Sequence, residues 1–174
     1  MMVLEKNVSK RAIVVFDSRY GNTEKIARSL RDELREAGID AYCLNENEVQ
    51  IESLKEFDLI AVGGPTEALR VSKSMKEFLQ KLRSLDLHGH FGFAFDTRFD
   101  SAFSGSAAKA IEKELKRCGL EMISPRESAF ILSRQKNDKG NVKLKDAEEE
   151  RFEKLGSSIG AALHDKSIGK QILA

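Results

Sequence analysis

Apolar runs of strand length alternate with stretches of helical period along the chain. Ala12-Ile13-Val14-Val15-Phe16 is short and unbroken, the pattern of a strand covered on both faces. Ile26, Ala27, Leu30, Leu34 and Ala37 then fall on one stripe of an amphipathic helix, with Gly38 placed to end it. Residues 41–44 and 59–62 predict the second and third strands, the third closed by Gly63-Gly64-Pro65; residues 49–57 between them have room for a short helix only. Met75, Phe78, Leu79 and Leu82 mark the next helix, residues 91–95 a fourth strand, and Ala107, Ala108, Ile111, Leu115 and Cys118 a helix ending at Gly119. A fifth strand lies within residues 120–132, interrupted near Pro125, which cannot donate to a central ladder. Residues 133–143 are polar, with Asn137-Asp138-Lys139-Gly140 as a turn signal. Phe152, Leu155, Ile159 and Leu163 set the last helix, and a frayed tail is expected after His164.

Repeated strand–helix units predict a parallel sheet with helices on both faces, and no linker or repeat divides it. The expected organisation is an N-terminal extension over residues 1–10, one three-layer α/β domain over residues 11–164, and a C-terminal tail over residues 165–174. In such sheets the chain reversal opens a crevice at the carboxyl ends of the strands. Chemistry is therefore expected just after Phe16, Val62 and Phe95.

Composition narrows the classes. With 174 residues, 41% of them hydrophobic and 33% charged, the chain suits a globular protein with a real core. No apolar run approaches the roughly 18–20 residues that span a bilayer, and residues 1–10 lack a signal core, so a cytoplasmic protein is expected. The net charge of +1 leaves no excess of Lys and Arg to neutralise nucleic-acid phosphates. Cys43 and Cys118 stand far apart and read as reduced thiols in the fold. His88-Gly89-His90 brings two imidazoles together without a carboxylate or thiol set to complete a metal site, so no metal is expected.

The segment after the first strand, Asp17-Ser18-Arg19-Tyr20-Gly21-Asn22-Thr23-Glu24, leads straight into the first helix. A helix N-terminus presents unpaired backbone N–H groups and the positive end of the dipole, and Ser18, Asn22 and Thr23 add side-chain donors suited to a tetrahedral anion. Gly21 allows close approach of the backbone. The phosphate-binding patterns of nucleoside triphosphatases and dinucleotide folds are both missing. An ordinary capping turn would use the same residue types.

Ser18-Arg19-Tyr20-Gly21-Asn22-Thr23 resembles the phosphate loop of the flavodoxins and flavodoxin-like domains, which bind flavin mononucleotide (FMN). Gly63-Gly64-Pro65-Thr66 is similar to that family's second loop segment, and Phe93-Ala94-Phe95-Asp96-Thr97, followed by Gly105-Ser106-Ala107, to its fourth strand and third loop. The resemblance runs in order over residues 11–163 and is nearest to flavodoxin domains of flavodiiron proteins and archaeal flavodoxins. It implies a flavodoxin-like three-layer sandwich with a five-stranded parallel sheet of order 2-1-3-4-5. It also implies FMN held by Ser18, Arg19, Tyr20, Gly21, Asn22 and Thr23 at the phosphate, and by Pro65, Thr66, Leu69, Thr97, Arg98, Phe99, Phe103 and Gly105 around the ring. The second loop, Thr66-Glu67-Ala68-Leu69-Arg70-Val71, departs from many members in having no aromatic residue, so Leu69, Val71 or backbone must cover one ring face. Phe99 and Phe103 are the stacking candidates on the other.

The function implied is electron transfer: FMN shuttles one or two electrons between a reductase and an acceptor protein, with no catalytic acid, base or nucleophile required. Two other classes stand beside it. One is an FMN-dependent reductase of a small organic or quinone substrate, the other a flavodoxin-fold interaction module without FMN. Arg70 and Arg98 are expected near the ring, among Glu67, Asp96 and Asp100, where a cation would favour an anionic reduced flavin.

Overall fold

The interior strand β1 (Arg11–Phe16) shows why its sequence is an unbroken apolar run. Ala12, Val14 and Phe16 point into one core layer and Ile13 and Val15 into the other, so neither face meets solvent. The computed structural model describes residues 8–136 and 142–172; the start of the expected N-terminal extension and the Asn137–Gly140 turn signal lie outside the described residues. Among the described residues seven further strands follow: β2 (Asp40–Asn45), β3 (Leu59–Glu67), β4 (Arg70–Val71), β5 (Phe91–Phe99), β6 (Glu121–Met122), β7 (Glu127–Lys136) and β8 (Val142–Leu144). Parallel ladders place the long strands side by side as β2-β1-β3-β5-β7, and β8 pairs antiparallel with β7.

The expected five-stranded sandwich is corrected to an eight-stranded sheet. The additions are two- and three-residue pieces, too short to leave a periodic signal. β4 returns on β3 as a hairpin, and β6 pairs with β5 ahead of the break at Ser124-Pro125. β3 and β5 are also longer than their apolar runs. β3 continues through Gly63-Gly64-Pro65 because β5 still pairs with it there, down to Pro65 opposite Thr97. Its ladder to β1 has already stopped at Gly63, so the proline removes no hydrogen bond on that side. β5 in turn is held to Phe99 by β7. Asp96, Thr97 and Arg98 are therefore strand residues with alternating faces.

Helices α1 (Asn22–Glu36) and α4 (Glu148–Ile172) cover one side of the sheet through Ile26, Leu30, Phe152 and Ile159. Helices α2 (Lys73–Leu82) and α3 (Ala107–Arg117) cover the other through Met75, Phe78, Ile111 and Leu115. Two 3-10 turns, Glu46–Glu48 and Ile51–Glu56, take the place of a helix between β2 and β3. The last helix passes His164 and continues to Ile172, where a frayed tail was expected; no proline interrupts it.

Gly63 marks the tightest contact in the centre of the sheet. A Cβ built there would lie 2.1 Å from the buried Phe95 ring, which itself packs edge-on against Phe152 at 6.2 Å. Gly63→Ala is expected to lower the unfolding free energy by about 1–3 kcal/mol, read from urea denaturation. A loss within a few tenths would show that the ring moves aside freely.

Candidate functional site

The ends of β1, β3 and β5 open into one crevice, and the turn between β1 and α1 forms one wall. Its geometry is set locally. Gly21 adopts φ +86°, with open space above it, and its N–H donates to Ser18 Oγ at 3.1 Å. That leaves the Ser18 hydroxyl proton free to donate outward. Thr23, in the first turn of α1, is 1% exposed, and its Oγ1 lies 2.8 Å from Thr97 Oγ1 on β5, tying the helix start to the strand end. The Asn22 side chain does not face an anion here: it donates to the Val142 carbonyl of β8 at 2.8 Å. Arg19 stacks over Tyr20, 5.3 Å from the ring centre, and reaches Glu67 at 3.9 Å, both guanidinium and carboxylate being partly exposed.

A cavity of about 110 Å³ lies inside this wall. Of the positions named from the resemblance, Ser18, Arg19, Tyr20, Asn22, Thr23, Pro65, Thr66, Thr97 and Phe99 line it. Glu67, expected among the charges near the ring, lines it too, as do Ile131 and Val142, which were not anticipated. Ile131 and Val142 come from the β7–β8 edge, whose polar sequence carries no motif. At about 110 Å³ the cavity falls below the roughly 300 Å³ of ordinary ligand pockets, so it can take one end of a larger ligand whose remainder lies over the open crevice.

The second and third loops meet above that opening. The β3–β4 hairpin turns through Ala68 (φ +44°) and Leu69 (φ +71°), left-handed positions that usually hold Gly or Asn. Leu69 pairs with Gly105, where a Cβ would sit 2.6 Å from the Leu69 carbonyl oxygen; only glycine permits the approach. Leu69 is 60% exposed, Phe99 41% and Phe103 88%. Together with Tyr20 they put large, exposed side chains on all three loops around the crevice.

Arg98 goes elsewhere. Thr97 and Phe99 face the cavity, so strand alternation turns Arg98 to the opposite face. There its Nε donates to Ser128 Oγ at 2.9 Å, and its Nη1 to Ser104 Oγ and the Gly105 carbonyl at 3.0 Å each, beside a separate hollow of about 430 Å³. It acts as a strut behind the third loop. Asp96, also read as a loop charge, is fully buried: its Oδ2 accepts from Thr66 Oγ1 (3.1 Å), Ser106 Oγ (2.8 Å) and the Ala108 N–H (2.9 Å), joining the end of β3 to the start of α3.

The cysteines and the His88–His90 pair are engaged in the fold. Burial pushes the Cys43 thiol up to about 11 and raises that of Cys118 as well, away from the range of a nucleophile. His88 bonds to Asp86, and His90 Nδ1 to the Phe57 carbonyl at 2.6 Å. Among the described residues no group of three or more His, Cys, Asp and Glu side chains is placed to hold a metal ion, and no helix is long and apolar enough to cross a membrane.

A family model described as a flavodoxin domain matches residues 13–98, the stretch that carries the turn, the hairpin and the end of β5. This chain is a flavodoxin-like domain. Its fold is similar to those of an archaeal flavodoxin and of flavodiiron proteins. Coenzyme F420H(2) oxidase of Methanothermobacter marburgensis is 30% identical over 128 residues, covering 71% of this chain and 32% of that protein. The chain spans about a third of the length of the curated relatives it matches. Among solved structures, a flavodoxin from the domain Archaea superposes with a TM-score of 0.73 at 24% identity, over 88% of this chain and 99% of that one. Rubredoxin oxygen:oxidoreductase of Desulfovibrio gigas gives the same TM-score at 20% identity, over 90% of this chain and 36% of that one.

Proposed function

We propose that this flavodoxin-like domain holds FMN noncovalently across the crevice and passes electrons between partner proteins, a reductase and an acceptor. The observation that carries the reading is the joining of two unlike features at one opening. A hydroxyl-lined helix N-terminus suited to a phosphate stands beside a rim of exposed Leu69, Phe99 and Phe103 suited to a flat apolar ring. The donor set fits the group: open space above Gly21 admits an anion, the Ser18 hydroxyl proton points to no internal partner, and the Glu67 carboxylate that lines the cavity is paired with Arg19. FMN would supply the redox chemistry. Ser18 and Thr23 would anchor the phosphate with the backbone N–H groups of the turn, while Leu69 covers one side of the ring and Phe99 the other, with Thr97 near its polar edge.

The test is titration of the flavin-free chain with FMN, followed by visible absorption and by quenching of flavin fluorescence. Saturable one-to-one binding is expected, and a chain that takes up no flavin would reject the reading. Phe99 lines the cavity and Phe103 does not, so Phe99→Ala is expected to reduce both affinity and quenching by about tenfold, the worth of one aromatic stack, and Phe103→Ala by less. Equal, unchanged affinity in both variants would place the ring elsewhere.

A further inference from the structure

The ladder of β1 with β2 ends at Phe16 and Asn45; Asp17 follows the one, Glu46 opens the 3-10 turn after the other, and the two carboxylates feel each other's charge. The start of α2 closes over them. Ser72, the N-cap of α2, donates to Asp17 Oδ2 and accepts from the Met75 N–H at 3.1 Å; its Oγ lies 3.2 Å from that of Ser74. The Ser74 side chain is hydrogen-bonded to Glu46. Capping of α2 accounts for Ser72 and for the carboxylate it touches. It does not account for Glu46, which is 8% exposed and has a buried Oε2 with no hydrogen-bond partner. A buried acceptor left unmatched costs about 1–3 kcal/mol, more when charged. Burial, and then the neighbouring charge of Asp17, raise the Glu46 carboxyl above its ordinary range; its own N–H and Ser74 only partly offset this, and Glu48 adds to it.

We propose that Asp17 and Glu46, with the Ser72 and Ser74 hydroxyls beside them, bind a hard divalent cation of the magnesium class, with water completing its shell. All the available donors are oxygens, which excludes the softer metals that seek thiolate or imidazole. Two carboxylates are too few for a closed protein cage, in keeping with the lack of any larger acidic cluster among the described residues. A small cation that keeps several waters and takes one or two carboxylates matches that donor count; calcium, with six to eight oxygen ligands, does not. Ser74 is exposed, so the site opens to solvent.

The experiment is calorimetric titration of the chelator-treated, flavin-free chain with magnesium chloride, in parallel with calcium chloride, together with thermal melts. The wild type is expected to bind magnesium saturably at one site and to melt at higher temperature as magnesium rises. Glu46→Gln and Asp17→Asn are each expected to weaken binding by roughly tenfold or more, since each removes one of two charged ligands. Glu46→Gln should also melt higher than the wild type without metal, because it removes a buried like-charge contact, which shows that its loss of binding is not loss of fold. No saturable magnesium binding by the wild type, tighter binding of calcium, or wild-type affinity in either variant would overturn the proposal.

Discussion

Combined Ser18→Ala and Thr23→Ala is expected to weaken FMN by on the order of a hundredfold while changing riboflavin affinity little. Riboflavin has the same ring and side chain without the phosphate, so the difference isolates the anion. The Ser18 hydroxyl accepts from Gly21 N–H and keeps its own proton, and Thr23 Oγ1 can accept from Thr97 while donating into the cavity. Hydrogen bonds to a charged group contribute about 1.5–3 kcal/mol each, so two of them give about 3 kcal/mol at the lower bound. Asn22→Ala is the informative companion. Its amide already donates to the Val142 carbonyl, so its removal should loosen β8 with less effect on the phosphate. Fluorescence titration with both ligands decides the matter: parallel losses for FMN and riboflavin in the double variant would mean that the turn does not hold the phosphate.

How far this site is legible in the sequence depends on which residues carry a pattern. The turn is legible because hydroxyls, a glycine and a helix start sit in six consecutive positions, and the strands are legible because burial on both faces demands unbroken apolar runs. The reach of β5 is not. Asp96-Thr97-Arg98 has weak strand preference, and only pairing with β7 extends the strand over it. That extension assigns the faces, sending Thr97 and Phe99 to the cavity and Arg98 behind the third loop. An arginine read from the sequence as a charge near the ring is instead held by Ser128, Ser104 and Gly105. The hairpin tip was hidden for another reason. Ala68-Leu69 occupies left-handed positions without the Gly or Asn that normally announces such a turn, and strain of this kind persists where surrounding contacts fix it, here the Leu69–Gly105 pairing.

Asp96→Ala is expected to cost about 2–5 kcal/mol of stability, the larger effect of the two substitutions open at that position. Alanine removes the acceptor shared by Thr66 Oγ1, Ser106 Oγ and the Ala108 N–H, and leaves three donors facing a small void at the start of α3. The positive end of α3 favours a carboxylate there, and that contribution goes as well. Asp96→Asn tests the argument from the other side. Its amide oxygen can still accept from the three donors, but its NH₂ must sit where Oδ1 has no partner, so a loss of about 1–3 kcal/mol remains. Thr66 Oγ1 also accepts from the Ala107 N–H at 2.9 Å, so loosening Asp96 frees the end of β3 and, through it, the Leu69 hairpin tip beside the crevice. Urea denaturation of the flavin-free chain measures the first effect and FMN affinity the second. An alanine variant within 1 kcal/mol of the wild type would show that water replaces the carboxylate and that the loops are held by Arg98 and the Leu69–Gly105 pairing alone.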